Sequence, residues 1–203
     1  HLALRLTMRR IAAILAVVVA LLFSAGSAWA DFDDATKAYQ RGDFSTALRM
    51  YKLLAEHGSA KAQTSLGVMY IRGDGVPKDY SEALQWFRLA AEQGEPNAQY
   101  SLGKIYADGL GVPKNNTEGV KWYLLAAEQG LMRAMRDLAG MYIFGQGTPV
   151  NYIKGYKWSA LAQAKGGWKD SSEAFEWLET KMTDSEIAEA QHLASEWWKK
   201  HNH

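Results

Sequence analysis

The sequence predicts an all-α solenoid of helix hairpins. Three observations carry this: a 36-residue period, glycine and proline punctuation that recurs inside it, and apolar residues spaced by three and four between those marks. Sliding the chain by 36 aligns Leu66, Leu102 and Leu138, then Tyr70, Tyr106 and Tyr142, then Gly73, Gly109 and Gly145, and Gly75, Gly111 and Gly147. The register continues through Pro77, Pro113 and Pro149, Trp86, Trp122 and Trp158, Ala90, Ala126 and Ala162, and Gly94, Gly130 and Gly166. Three of the four prolines therefore occupy one repeat position. A period of this length marks an array in which each unit buries its apolar face only against the next.

Each unit reads as two helices. Ala98, Leu102 and Tyr106 recur at i, i+4 and i+8 and share one face, while Gly103 leaves room for a neighbouring helix. Gly109 ends this first helix by supplying a left-handed residue, and Gly111, Val112 and Pro113 do not continue it. Asn115, with Asp79 and Asn151 in the other copies, is an N-cap whose side-chain oxygen accepts from an orphan backbone N–H. Glu82 and Glu118 follow three residues after two of these caps, the spacing of a capping box. The second helix carries Trp122, Ala126 and Ala127 and stops at Gly130.

Together the pattern LG..Y, GxGVPK, an Asp or Asn cap, and W...AA..G resembles the Sel1-like repeat, a relative of the tetratricopeptide repeat. The resemblance covers Lys61 to about Gly167 in three copies. The third copy departs from it at Ala139, Thr148 and Gln163, which makes its packing the least regular. The resemblance implies a right-handed α/α superhelix and an adaptor role. It divides the chain into repeats at 61–96, 97–132 and 133–168. Residues 31–60, whose helices are joined only by Arg41, Gly42 and Asp43, read as a tetratricopeptide-like capping hairpin. Residues 169–203 read as capping helices and a tail. There Ala174, Phe175 and Leu178 lie on a helix from about Ser171 to Lys181. Thr183 and Glu186 form a capping box that opens a last helix to about Lys200, with Ile187, Ala190, Leu193 or Ala194, and Trp197 on one face, and Trp198 to His203 read as a short tail.

Upstream, Met8 is followed by Arg9 and Arg10, an apolar run from Ile11 to Phe23, and the ending Ala28-Trp29-Ala30. That is the form of a secretory signal, residues 1–30, cleaved after Ala30. The run is shorter than the roughly 20 residues of a spanning helix, so no stable membrane insertion is expected after cleavage. With no cysteine there is neither a lipidated residue nor a disulfide, and the protein is expected in the periplasm or outside the cell. Losing Arg5, Arg9 and Arg10 lowers the basic residues from 23 to 20 against 22 acidic ones. That balance gives no electrostatic footprint for nucleic acid.

Catalytic signatures are weak. Ser101 and Lys104 spell S-x-x-K, but neither S-D-N nor K-T-G follows, and the pair exists in one copy only. Glu92 and Glu128 recur at one repeat position and read as solvated helix ends. The histidines show no metal-ligand spacing, those of the tail are expected to be unstructured, and no cofactor or metal is expected. Trp86, Trp122 and Trp158 read as core rather than as sugar platforms. Gly73 with Gly75, and their equivalents, read as helix caps rather than phosphate loops.

By the resemblance, the first helices line a concave surface, and anchoring on LG..Y carries the ligand-facing positions onto this chain. They are Lys61, Thr64, Val68, Ile71 and Arg72; then Asn97, Tyr100, Lys104, Ala107 and Asp108; then Arg133, Arg136, Gly140, Ile143 and Phe144. Five cations face one acid, Asp108. A partner segment bearing carboxylates is expected there, with Tyr100 and Phe144 as apolar anchors. The expected function is a non-catalytic adaptor of the cell envelope. The alternative is a cell-wall factor that binds glycan or modulates a peptidoglycan enzyme.

Overall fold

A computed structural model describes residues 32–166 and 172–201. The expected signal, residues 1–30, lies outside them, as do Asn202 and His203. The described residues form hairpins in sequence order: α1 (32–40) with α2 (Phe44–Glu56), α3 (Ala60–Arg72) with α4 (Tyr80–Glu92), α5 (Pro96–Asp108) with α6 (Asn116–Glu128), and α7 (Met132–Phe144) with α8 (Tyr152–Ala164). Two further helices follow, α9 (Ser172–Glu179) and α10 (Asp184–His201). From α2 to α8 each helix packs on the one before and the one after it, so the chain is an all-α solenoid. Each of these seven has 13 residues, which keeps the two layers in step along the array.

Local chemistry sets the boundaries. Gly73, Gly109 and Gly145 end the first helices at φ 79°, 72° and 65°, a backbone that costs a side chain roughly 1–2 kcal/mol. The second helices start where Asp79, Asn115 and Asn151 accept from backbone N–H groups. The expected capping boxes of α4 and α6 are not what satisfies those caps. The backbone N–H groups of Asp79, Asn115 and Asn151 donate instead to the carbonyls of Tyr70, Tyr106 and Tyr142, at 3.0, 2.8 and 2.9 Å. This cross-bond ties the start of each second helix to the end of its first helix and closes the long loop. Glu118 pairs with Lys121. In α10 the box is complete, the Thr183 N–H donating to Glu186 at 2.8 Å and the Glu186 N–H donating to Thr183.

The second glycine of each loop does more than cap. A Cβ on Gly147 would lie 2.3 Å from the backbone carbon of Asn116, and one on Gly111 2.5 Å from the Tyr80 side chain. Each loop thus rests on the start of the second helix one repeat earlier. Thr117 reinforces the contact by donating to the Gly147 carbonyl at 3.1 Å.

Inside the hairpins, Ala98, Leu102 and their equivalents are fully buried. Trp158 is buried, while Trp86 and Trp122 are half-buried against the same clusters. Ala107 and Ile143, expected on the open face, are buried instead, because Gly119 and Gly155 of the partner helix let them pack inward. At the far end α10 docks on α8, with Ala190, Ala194 and Trp197 buried. Trp198 to His201, read as tail, continue the helix, and the His201 ring stacks on Trp197 at 4.1 Å.

Gly94 and Gly147 both have positive φ, but a Cβ on Gly94 meets nothing within 4 Å. Gly94→Ala should therefore cost only about 1–2 kcal/mol, and Gly147→Ala a further ~1–3 kcal/mol for the overlap. Thermal melts compare the two, and equal losses would refute the close-approach role.

Candidate functional site

The first helices curve enough for α1 and α7 to border one cavity of about 370 Å³. Its lining includes six of the residues expected from sequence: Lys61, Thr64, Val68, Arg72, Asn97 and Arg133. Phe32, Tyr39, Tyr51, Ser65 and Glu95 complete it and were not foreseen. Tyr100, Lys104, Asp108, Arg136 and Phe144 are not part of this lining. Phe144 is 67% exposed and lies 6.3 Å, ring to ring, from Trp177 of α9.

The charges are arranged by neighbours on the same face. Arg72 donates to the Tyr39 hydroxyl at 3.0 Å, and that hydroxyl donates to Asp74. Lys104 pairs with Asp108 at 2.9 Å, one turn along α5. Arg136 pairs with Asp137 at 3.1 Å, and the other Asp137 oxygen accepts from the Tyr100 hydroxyl at 2.9 Å. Arg133 donates to Asn97 and lies over the Tyr100 ring, 5.0 Å from its centre. The Asn97 amide donates in turn to Glu95, whose carboxylate caps α5 by accepting from the Ala98 N–H at 2.8 Å. The expected five-to-one excess of cations is therefore smaller. Glu95, Asp137 and Asp74 stand among them, outside the positions that the repeat anchor picks out.

Tyr100 is a bracket rather than an open anchor. It is half-buried, its ring tilted against Tyr123 at 5.5 Å between centres, and bonded to Asp137. Burial first and the Asp137 carboxylate second push its phenol up to about 12. The Ser101 hydroxyl donates to the Asn97 carbonyl at 2.8 Å, and Lys104 is held by Asp108. Glu128, expected as a solvated helix end, instead accepts from the Trp197 indole N–H at 2.7 Å and fastens α10 to α6.

The Sel1 repeat family model matches residues 36–59, 60–95, 96–131, 133–167 and 163–180. The chain is a Sel1 repeat protein. The match takes in the short-loop hairpin of α1 and α2 as well as the three long-loop units. Sel1 repeat proteins are generally protein-interaction scaffolds and typically non-catalytic. None of the curated proteins matches this one. Among solved structures it is similar to a protective antigen present in uropathogenic Escherichia coli strains that displays an SLR fold. That pair is 32% identical with a TM-score of 0.70, over 77% of this chain and 33% of the antigen. It therefore spans about a third of the antigen's length. It is also similar to a Sel1 repeat protein from Oxalobacter formigenes, 28% identical with a TM-score of 0.68, over 83% of this chain and 70% of the other. Among the described residues of this Sel1 repeat protein, no helix is long and apolar enough to cross a membrane.

The folded Sel1 repeat protein favours the neutral Tyr100 phenol more than the unfolded chain does. Its contribution to stability is therefore fully present below pH 10 and is lost as pH rises from 10 towards 12. Tyrosinate absorbance should show a step near pH 12 that Tyr100→Phe removes. In that variant the melting temperature should fall less steeply across the same window.

Proposed function

We propose that the protein is an exported, non-catalytic scaffold of the cell envelope whose first-helix face takes a carboxylate-bearing segment of a partner protein. The observation that carries this reading is the cavity between α1 and α7. Lys61, Arg72 and Arg133 border it above a floor of Phe32, Tyr51 and Val68, with Glu95 the one acid among the lining residues. Cations around an apolar floor favour a segment that pairs acidic side chains with an apolar one. Thr64 and Asn97 supply polar contacts at the rim. Tyr100, Asp137 and Arg136 form the wall against which Arg133 is held, and Lys104, Asp108 and Phe144 extend the face beyond it.

A photoreactive residue at Thr64, with a control at Pro77 in the exposed loop, tests this in living cells. One protein caught at Thr64 and not at Pro77 is the expected result. Lys61→Glu with Arg133→Glu should abolish that adduct and leave the melting temperature within a few degrees of wild type, since both residues are exposed. A blank at Thr64 would overturn the assignment of the face, and glycan-bearing adducts would replace it with the cell-wall reading.

Export rests on residues 8–30, with their basic start, apolar core and small-residue ending. N-terminal sequencing of protein from the periplasm or medium should begin at Asp31. Protein retained in the cytoplasm with residues 8–30 intact would refute export.

A further inference from the structure

The second helices carry a row of apolar side chains that the hairpins leave open. Leu53 of α2, Leu89 of α4 and Leu125 of α6 stand 36 residues apart at one repeat position and are 55%, 46% and 48% exposed. One exposed leucine is ordinary, but the same exposure in three successive units makes a strip. The fourth member, Leu161 of α8, is only 2% exposed and belongs to one cluster with Ala194 and Trp197 of α10. The chain thus covers the last position of its own row with an amphipathic helix.

Charges flank the row, with glutamates repeating on one side and bases in two of the three units on the other. One turn towards the helix N-termini lie the exposed bases Arg49 of α2 and Lys121 of α6, with Gln85 at that position in α4, while the exposed Lys52 and Arg88 immediately precede Leu53 and Leu89. Arg88 also reaches the Tyr106 hydroxyl, and Lys121 pairs with Glu118. Three residues beyond each leucine comes a glutamate: Glu56, Glu92 or Glu128. In α6 that glutamate already has an occupant, because Glu128 accepts the Trp197 indole N–H from α10. Its equivalents Glu56 and Glu92 are exposed.

We propose that this row is a second docking surface, and that its occupant is an amphipathic helix of a partner protein laid over Leu53, Leu89 and Leu125 as α10 is laid over Leu161. The apolar stripe of that helix covers the leucines. Indole or basic side chains on one flank meet Glu56 and Glu92, and acidic side chains on the other meet Arg49 and Lys121. The surface lies in the second-helix layer, so it does not depend on the first-helix cavity, and one molecule can engage both.

The test uses the full chain and, as probe, a fluorescently labelled peptide with the α10 sequence, residues 184–201, read by anisotropy. Saturable binding is expected. Replacing Leu53, Leu89 and Leu125 together by serine should weaken it by roughly tenfold per leucine. Because the three side chains are about half exposed, the triple variant should keep its fold, checked by far-UV circular dichroism and thermal melting. The Lys61→Glu, Arg133→Glu variant should bind the peptide as wild type does, which separates this surface from the cavity. An absence of saturable binding, or binding that the triple variant retains, would overturn the proposal. So would a concentration-dependent dimer abolished by the same three changes, since the occupant would then be a second copy of the chain.

Discussion

How closely the two helices of a hairpin approach decides every other distance in the fold. The Phe87 ring lies against Gly67 and the Tyr123 ring against Gly103, where a Cβ would stand 2.8 and 2.4 Å from ring carbons. An interior this tight does not absorb a methyl group on one helix unless the other gives way. The third unit shows both changes together. Ala139 replaces the glycine, and the residue aligned with Phe87 and Tyr123 is Ser159, buried with it. Among the described residues its hydroxyl finds no hydrogen-bond partner, so the swap exchanges ring packing for a buried polar group.

A second constraint acts between hairpins. Gln63 and Gln99 are buried, and each amide is satisfied at both ends. Gln63 donates to the Ala55 carbonyl and accepts from Gln93; Gln99 donates to the Ala91 carbonyl and accepts from Gln129. Each bridge joins the last turn of one second helix, the next first helix and the end of the following second helix. At the next junction both members change together, Met135 taking the buried position and Lys165 the outer one. A half-satisfied pair would cost about 1–3 kcal/mol, whereas an apolar residue with a solvated lysine leaves nothing unpaired. Lys165 is then available to sit over the rings of Trp197 and Trp198, which belong to the end cap rather than to another repeat.

What the sequence made legible is what a single helix decides for itself. Left-handed glycines and Asp or Asn caps act within four residues, so the helices and their ends could be read from spacing. Contacts between units could not. Glu82 and Glu118 sit at capping-box spacing, yet the N–H groups they would serve belong to Tyr70 and Tyr106 carbonyls of the preceding helix. Ala107 and Ile143 read as open from their own helix alone; the aligned Gly119 and Gly155 are the sequence signal that a neighbour comes close. On the candidate face the cations are legible in the sequence, but Glu95 and Asp137 are not. One is a helix cap and the other stands where the earlier copies have Ser65 and Ser101, so neither occupies a position that the repeat anchor marks as ligand-facing.

The two layers use repetition in opposite ways. On the first helices, equivalent positions differ in chemistry from unit to unit: Lys61, Asn97 and Arg133; Thr64, Tyr100 and Arg136; Arg72, Asp108 and Phe144. Such a face presents a different group at each step and suits one extended segment read in one register. On the second helices Leu53, Leu89 and Leu125 repeat unchanged while remaining about half exposed. Core packing explains constancy only where a side chain is buried, as Leu161 is beneath α10. A constant apolar residue left open in three units gives hairpin packing little and exposes a regular apolar row to water. That combination is the physical reason for assigning the second-helix layer a regular, helical occupant rather than an extended one.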